Sequence, residues 1–175
     1  TYAWQLDYKG DAWTLYESLR SQQPTPYHAM IRNEYEEVIS FSPELFCHIE
    51  GNRILTRPMK GTLPRKADEA EDKQQMQFLK NDIKNRAENV MIVDLIRNDL
   101  SKIAVTGSVK VNKLFEIETY KSLYQMTSEV EAMLDPHVSL YDIFKALFPC
   151  GSVTGAPKIK TMEIIDKLES IPRDI

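Results

Sequence analysis

Cysteine is scarce in this sequence: two residues in 175, Cys47 and Cys150. They stand far apart, and no His or Cys lies near either at metal-ligand spacing. A disulfide framework and a zinc site are therefore not expected, and the thiols are read as reduced. Histidine is nearly as rare. His28, His48 and His137 are scattered without ligand spacing and read as structural. No apolar run approaches the roughly 20 residues a membrane helix needs. The opening "TYAWQLDYKG" has no basic segment leading into an apolar one, so no secretory signal is read and a cytoplasmic location is expected. Positive charge is not in excess either. The net charge of −4 argues against nucleic acid or an anionic membrane as a partner, since both reward a basic face. Internal repeats, low-complexity segments and a Walker-type G-x-x-x-x-G-K-[ST] loop are also missing.

What is present is an ordinary globular composition, 42% hydrophobic and 27% charged, and one domain is the expectation for this length. Alternation and aromatic content predict a strand over "YAWQLDY". Asp11 caps a helix through "AWTLYESLRSQ", with Trp13, Leu15, Tyr16 and Leu19 on its apolar face. Strand-like runs follow at "YHAMIRN", "EEVISFS", "LFCHIE" and "RILTR", with turns at "NEY", "SPE" and Gly51-Asn52. These predict an antiparallel meander carrying one helix. Residues 63–71 read as a loop. From about Asp72 to Leu100 the pattern is helical without Gly or Pro, a rod of roughly 43 Å at 1.5 Å per residue. Its first half is polar, and its second half, "ENVMIVDLIRNDL", is apolar nearly all round, which predicts burial on several sides. Strands are read at "VKV" and "LFEIETYKSLYQM". A short helix, "SLYDIFKALF", follows with Ser139 as cap, and then a Gly-rich loop runs into a last helix, "KIKTMEIIDKLES". The class is α+β.

Three stretches carry candidate chemistry. In "GSVTGAPK" (151–158), two glycines, the hydroxyls of Ser152 and Thr154, and unpaired N–H groups at a helix start suit an anion; a plain connector is the alternative. Glu88 lies in the apolar half of the long helix. A buried carboxylate needs a partner or a hard metal such as Mg²⁺, and Lys84 and Arg86 are the partners within reach. Asp94 has Arg97 and Asn98 at helical spacing. Lys60, in "TRPMKGTLPR", sits on a tight turn between Pro58 and Gly61. A lysine attacks only in its neutral form, which burial or nearby cations favour, and Arg57 and Arg65 are candidates. A hairpin at Gly51-Asn52 brings Glu44 toward Lys60 as an acid partner; a surface ion pair is the alternative.

In order and spacing, "SPELF", "TRPMKGTLPR", "AENVMIVDLIRNDL", "GSVKV" and "FPCGSVTGAPKIKTMEIIDKLE" resemble the chorismate-utilising enzymes over essentially the whole chain. The family comprises anthranilate, isochorismate, salicylate and aminodeoxychorismate synthases. The resemblance implies antiparallel sheets with outer helices, and chorismate bound with Mg²⁺. Anthranilate synthase-like members carry a small residue before the Gly-Thr pair, and aminodeoxychorismate synthase-like members carry Lys. "PMKGT" picks out the latter, the branch of para-aminobenzoate and folate biosynthesis.

For that branch the resemblance implies Lys60 as nucleophile, Glu44 as general acid and Glu88 as a Mg²⁺ ligand. Gly61, Thr62, Ser152, Thr154 and Gly155 would contact substrate, and a glutamine amidotransferase partner would supply ammonia. The other readings are anthranilate synthase component I, and a non-catalytic piece that only docks the glutaminase. Members of the family are much longer. Residues 1–175 are therefore expected to be the central portion of a chorismate-binding domain, truncated at both ends and inactive alone. A second metal-binding Glu and a carboxylate-binding Arg are expected outside the chain. Where anthranilate synthase-like relatives have a His on the strand near 120–127, this sequence has Gln125.

Overall fold

The computed structural model describes residues 4–173, which divide into two compact units, residues 4–45 with 164–173, and Phe46–Glu163. In the first, α1 (Ala12–Gln22) starts where the Asp11 carboxylate accepts from Thr14 N at 2.9 Å. Of its four apolar positions only Tyr16 is buried, stacked on Phe41 with ring centroids 5.6 Å apart. Its hydroxyl meets His28 Nδ1 at 2.6 Å, which gives that histidine its structural role. Strands β1 (Tyr27–Arg32) and β2 (Glu37–Ser42) form a hairpin. Its turn is held by Asn33 Oδ1, which accepts from Tyr35 N and Glu36 N.

The strand predicted over "YAWQLDY" is not formed in its described part. Trp4 to Tyr8 are irregular, and Trp4 and Leu6 are exposed. Alternation marks a strand only when a partner edge takes up its backbone groups, and among the described residues no strand pairs with this segment. Residues 2 and 3 lie outside the described residues.

The second unit holds a five-stranded sheet of β3 (Leu45–Glu50), β4 (Arg53–Arg57), β5 (Met59–Pro64), β6 (Lys110–Thr119) and β7 (Leu123–Met133). The single predicted meander is thus split, with β1 and β2 pairing only with each other and β3 and β4 joining this sheet. Strand β7 is its hub. Along one edge it pairs antiparallel with β4 (Thr56↔Val130) and then with β5 (Thr62↔Gln125); along the other it pairs with β6. Pro58 interrupts the first edge, and its carbonyl still accepts from Ser128 N at 3.0 Å. The run "LFEIETYKSLYQM" is two strands, because the chain turns at 120–122.

The predicted 43 Å rod is two helices, α2 (Glu69–Asn81) and α3 (Ile83–Ser101). Asp82 breaks it. With φ −65° and ψ 117° it is extended, and its carboxylate accepts from Asn85 N, capping α3 while it ends α2. A side chain that satisfies a helix start can interrupt a helix without Gly or Pro. The break lets each helix serve its own core. Leu79 of α2 packs with Tyr124 and Met126. Ile92, Val93, Ile96 and Leu100 of α3 pack with Ile54, Val130 and Ala132. Helix α4 (Leu140–Leu147) closes that core with Ile143 and Leu147 and starts in a Ser139–Asp142 capping box. The short α5 (Gly151–Thr154) and then α6 (Lys158–Leu168) follow.

Candidate active site

Strand β5 carries one register slip. Met59 faces Thr127 and Thr62 faces Gln125, so Lys60 and Gly61 together occupy the place opposite Met126. Two residues against one is a β-bulge, which re-aims a side chain. Gly61 takes φ +91°, and a Cβ there would lie 2.9 Å from Asn85 Oδ1 on α3. Glycine is required both by the dihedral and by the approach. On the sheet side Gln125, buried at 4% exposure, uses both ends of its amide. Nε2 donates to the Gly61 carbonyl at 2.9 Å, and Oε1 accepts from Thr62 Oγ1 at 2.6 Å. The bulge is held from both faces.

That bulge sends Lys60 Nζ to the Ser152 carbonyl, where it donates at 3.0 Å. Two stretches 92 residues apart in sequence thus meet at one amine. Within the 151–158 loop the Thr154 hydroxyl donates to the Cys150 carbonyl, and Ser152 Oγ lies 2.9 Å from Cys150 Sγ. The Val153 and Thr154 N–H groups also donate to the Cys150 carbonyl at 3.2 Å. The loop's hydroxyls and these two amides are engaged internally, and it is a backbone carbonyl that addresses Lys60. Gly155 has φ +129° and lets the chain turn into α6.

Arg57 and Arg65, the cations expected beside Lys60, are met by carboxylates. Arg57 pairs with Glu129 at 3.1 Å and Glu118 at 3.6 Å. Arg65 forks onto Asp72, which also accepts from Tyr124 Oη at 2.6 Å and Lys66 N at 2.8 Å. The Arg65 guanidinium first, then the Tyr124 hydroxyl, hold the Asp72 carboxyl well below the usual carboxylate range.

Glu88 is not the buried carboxylate its apolar surroundings in sequence predict. Its side chain is 43% exposed and lies 3.9 Å from Lys84 Nζ. Arg97 holds Asp94 at 2.8 Å, as the spacing predicts. The carboxylate that is buried on α3 is Asp99, which pairs with Lys158 at 2.5 Å and accepts from Lys102 at 2.7 Å. It was legible as an acid in an apolar stretch, but its partner Lys158 lies far along the chain. Among the described residues no three His, Cys, Asp or Glu side chains group to hold a metal, so the residues present do not by themselves fit Mg²⁺. Glu44 lies in the first unit, on the bend before β3, where its N–H donates to Ser42 Oγ at 3.1 Å.

The whole chain, residues 1–175, matches the model of the chorismate binding enzyme family. It is 47% identical over 165 residues to aminodeoxychorismate synthase component 1 of Salmonella typhimurium, covering 94% of this chain and 36% of that protein. The Klebsiella aerogenes protein of the same name is 47% identical over 162 residues, with 93% and 36% covered. The crystal structure of anthranilate synthase component I from Streptococcus pneumoniae superposes with a TM-score of 0.84 at 34% identity, over 95% of this chain and 36% of that one. The chain thus spans little more than a third of the length of the curated relatives it matches. With antiparallel sheets under helices, a lysine on a glycine bulge, and a family match from the first residue to the last, this chain belongs to the chorismate binding enzymes.

Proposed function

We propose that the protein these residues belong to aminates chorismate to 4-amino-4-deoxychorismate, as aminodeoxychorismate synthase component I. The observation that carries this reading is the Lys60 amine, delivered by the Gly61 bulge to one point against the Ser152 carbonyl. An amine held in a single orientation suits nucleophilic catalysis. The family resemblance gives the sequence of bonds. Lys60 Nζ attacks C2 of the ring while the C4–O bond breaks, and Glu44 protonates the departing hydroxyl, which leaves as water. Ammonia then forms the C4–N bond as the C2–Nζ bond breaks; Lys60 leaves as the neutral amine, and the new C4 ammonium returns a proton to the Glu44 carboxylate.

Gly61, Thr62, Ser152, Thr154 and Gly155 are proposed to line the substrate. Contacts by the hydroxyls of Thr62, Ser152 and Thr154 would exchange with their present partners, Gln125 and Cys150. Mg²⁺ is proposed for the whole protein, with Glu88 as one oxygen ligand and the others outside these residues; no step above passes through it. Residues 1–175 are proposed to be the central portion of a longer chorismate-binding domain, inactive alone. A glutamine amidotransferase is the proposed ammonia source, in keeping with the "component 1" of the relatives' names.

The test is the full-length protein incubated with chorismate, Mg²⁺ and ammonium chloride, with the product identified by mass. Amino-deoxychorismate as product, with loss of the covalent adduct in Lys60→Ala, is the expected result. Anthranilate as product, undiminished in Lys60→Ala, would overturn the reading in favour of anthranilate synthase.

A further inference from the structure

Helix α3 touches both halves of the Lys60 site. Near its start, Asn85 lies against Gly61 of the bulge. Nearly two turns before its end, at Leu95, it is crossed by the loop that carries Ser152. A Cβ on Gly151 would lie 2.5 Å from Leu95 Cδ2, so the backbone rests on that side chain. Asp99, one turn beyond Leu95, binds Lys158 at 2.5 Å. The loop is thus pinned to one face of α3 at both ends, with Ser152 between the pins.

The second pin is a demanding one. Asp99 and Lys158 side chains are 5% and 13% exposed, and burying two charges is repaid only by good geometry and full hydrogen bonding. Each charge here has a second partner. Asp99 takes a second cation, Lys102, on Oδ1. Lys158 also donates to the Leu147 carbonyl at 3.1 Å, which ties the end of α4 to the same point. Such a pair resists sliding more than an apolar contact does, because an ion pair has one best arrangement.

We propose that Asp99 and Lys158 are positioning residues that set the Ser152 carbonyl against the Lys60 amine, with α3 as the common support of bulge and loop. The pair touches neither the amine nor any reacting atom and acts through the loop. The inference rests on the proposed function only in taking Lys60 as the reacting amine.

The test reads Lys60 directly, without turnover. The whole protein is acetylated with limiting acetic anhydride, and the rate at each lysine is read by peptide mass spectrometry against exposed Lys73. Lys158→Met is expected to raise the Lys60 rate about fivefold, the release of one hydrogen bond of ordinary strength. Lys158→Arg, which keeps the charge, is expected to restore most of the wild-type rate. Asp99→Asn should raise it less, because an amide oxygen still accepts. Arg65→Met, which breaks an ion pair elsewhere in the same unit, is the stability control and should leave Lys60 unchanged.

An unchanged Lys60 rate in folded Lys158→Met overturns the proposal. So does an equal rise in Arg65→Met at matched loss of Tm, since the pair would then only stabilise. If Lys158→Met does not fold, Asp99→Asn decides, and a wild-type Lys60 rate in that variant is fatal. An adduct that survives Lys60→Ala would instead overturn the proposed function and leave the labelling result standing.

Discussion

Two of the carboxylates on helix α3, Glu88 and Asp99, lie about three turns apart and therefore on nearly the same face. Their surroundings differ completely. Glu88 is 43% exposed beside Lys84, whereas Asp99 is 5% exposed and is bound by Lys158 and Lys102. Periodicity assigns a residue to a face of a helix, but what later crosses that face decides how deeply it is buried. At Asp99 the 151–158 loop and the start of α6 cover the helix. The demand that a buried acid find a partner was sound physics, and it applied to the far end of the helix from where the sequence first suggested it.

The comparison can be broken most forcefully at Asp99. Asp99→Ala strands Lys158 inside the protein, and a loss of about 3–5 kcal/mol is expected in urea unfolding; a loss no larger than that of an exposed site would mean the pair is not buried in solution. Next comes Gly61→Ala, which forces a side chain into a positive-φ bulge and against Asn85. A cost of about 1–3 kcal/mol is expected from the strain, together with a faster acetylation of Lys60, because the bulge would relax.

A third carboxylate, Asp72, extends the contrast to acid. Its folded value is depressed, chiefly by Arg65. Its contribution is therefore complete above the unfolded value near 3.9 and is lost as pH falls below about 4 toward the folded value. A Tm profile from pH 7 to pH 2 should show this acid limb shrink in Arg65→Met and persist in Glu88→Gln. The smallest effect is expected for Glu88→Gln itself. An exposed pair at 3.9 Å is worth no more than about 0.5 kcal/mol, and a Tm shift well beyond that would show that Glu88 is more deeply engaged than Asp99's contrast implies.

Much of the local structure was legible. The Asp11 and Ser139 caps, the hairpin turns at 33–35 and Gly51-Asn52, and β1 through β4 follow from side chains that bond within a few residues of themselves. The errors fell where local and distant signals compete. Asp82 is a cap signal that an unbroken helical composition outweighed. "YAWQLDY" alternates but pairs with no strand among the described residues. Within the site, Lys60, Gly61, Thr62 and the 151–158 loop were all named from sequence. The roles of Gln125 and Asp99 were not, because each is defined by a partner more than 50 residues away.

By itself the sequence determined the family and the glycine-flanked lysine, since those reside in the order and spacing of motifs. It also determined the helix caps and turns, whose hydrogen bonds are local. Only the tertiary structure decided that Lys60 meets the Ser152 carbonyl, that Gln125 clamps the bulge, and that the buried acid of α3 is Asp99 rather than Glu88. The reason is physical. Burial and pairing across a fold depend on which distant segment displaces water from a given face, and that displacement belongs to the packed chain as a whole.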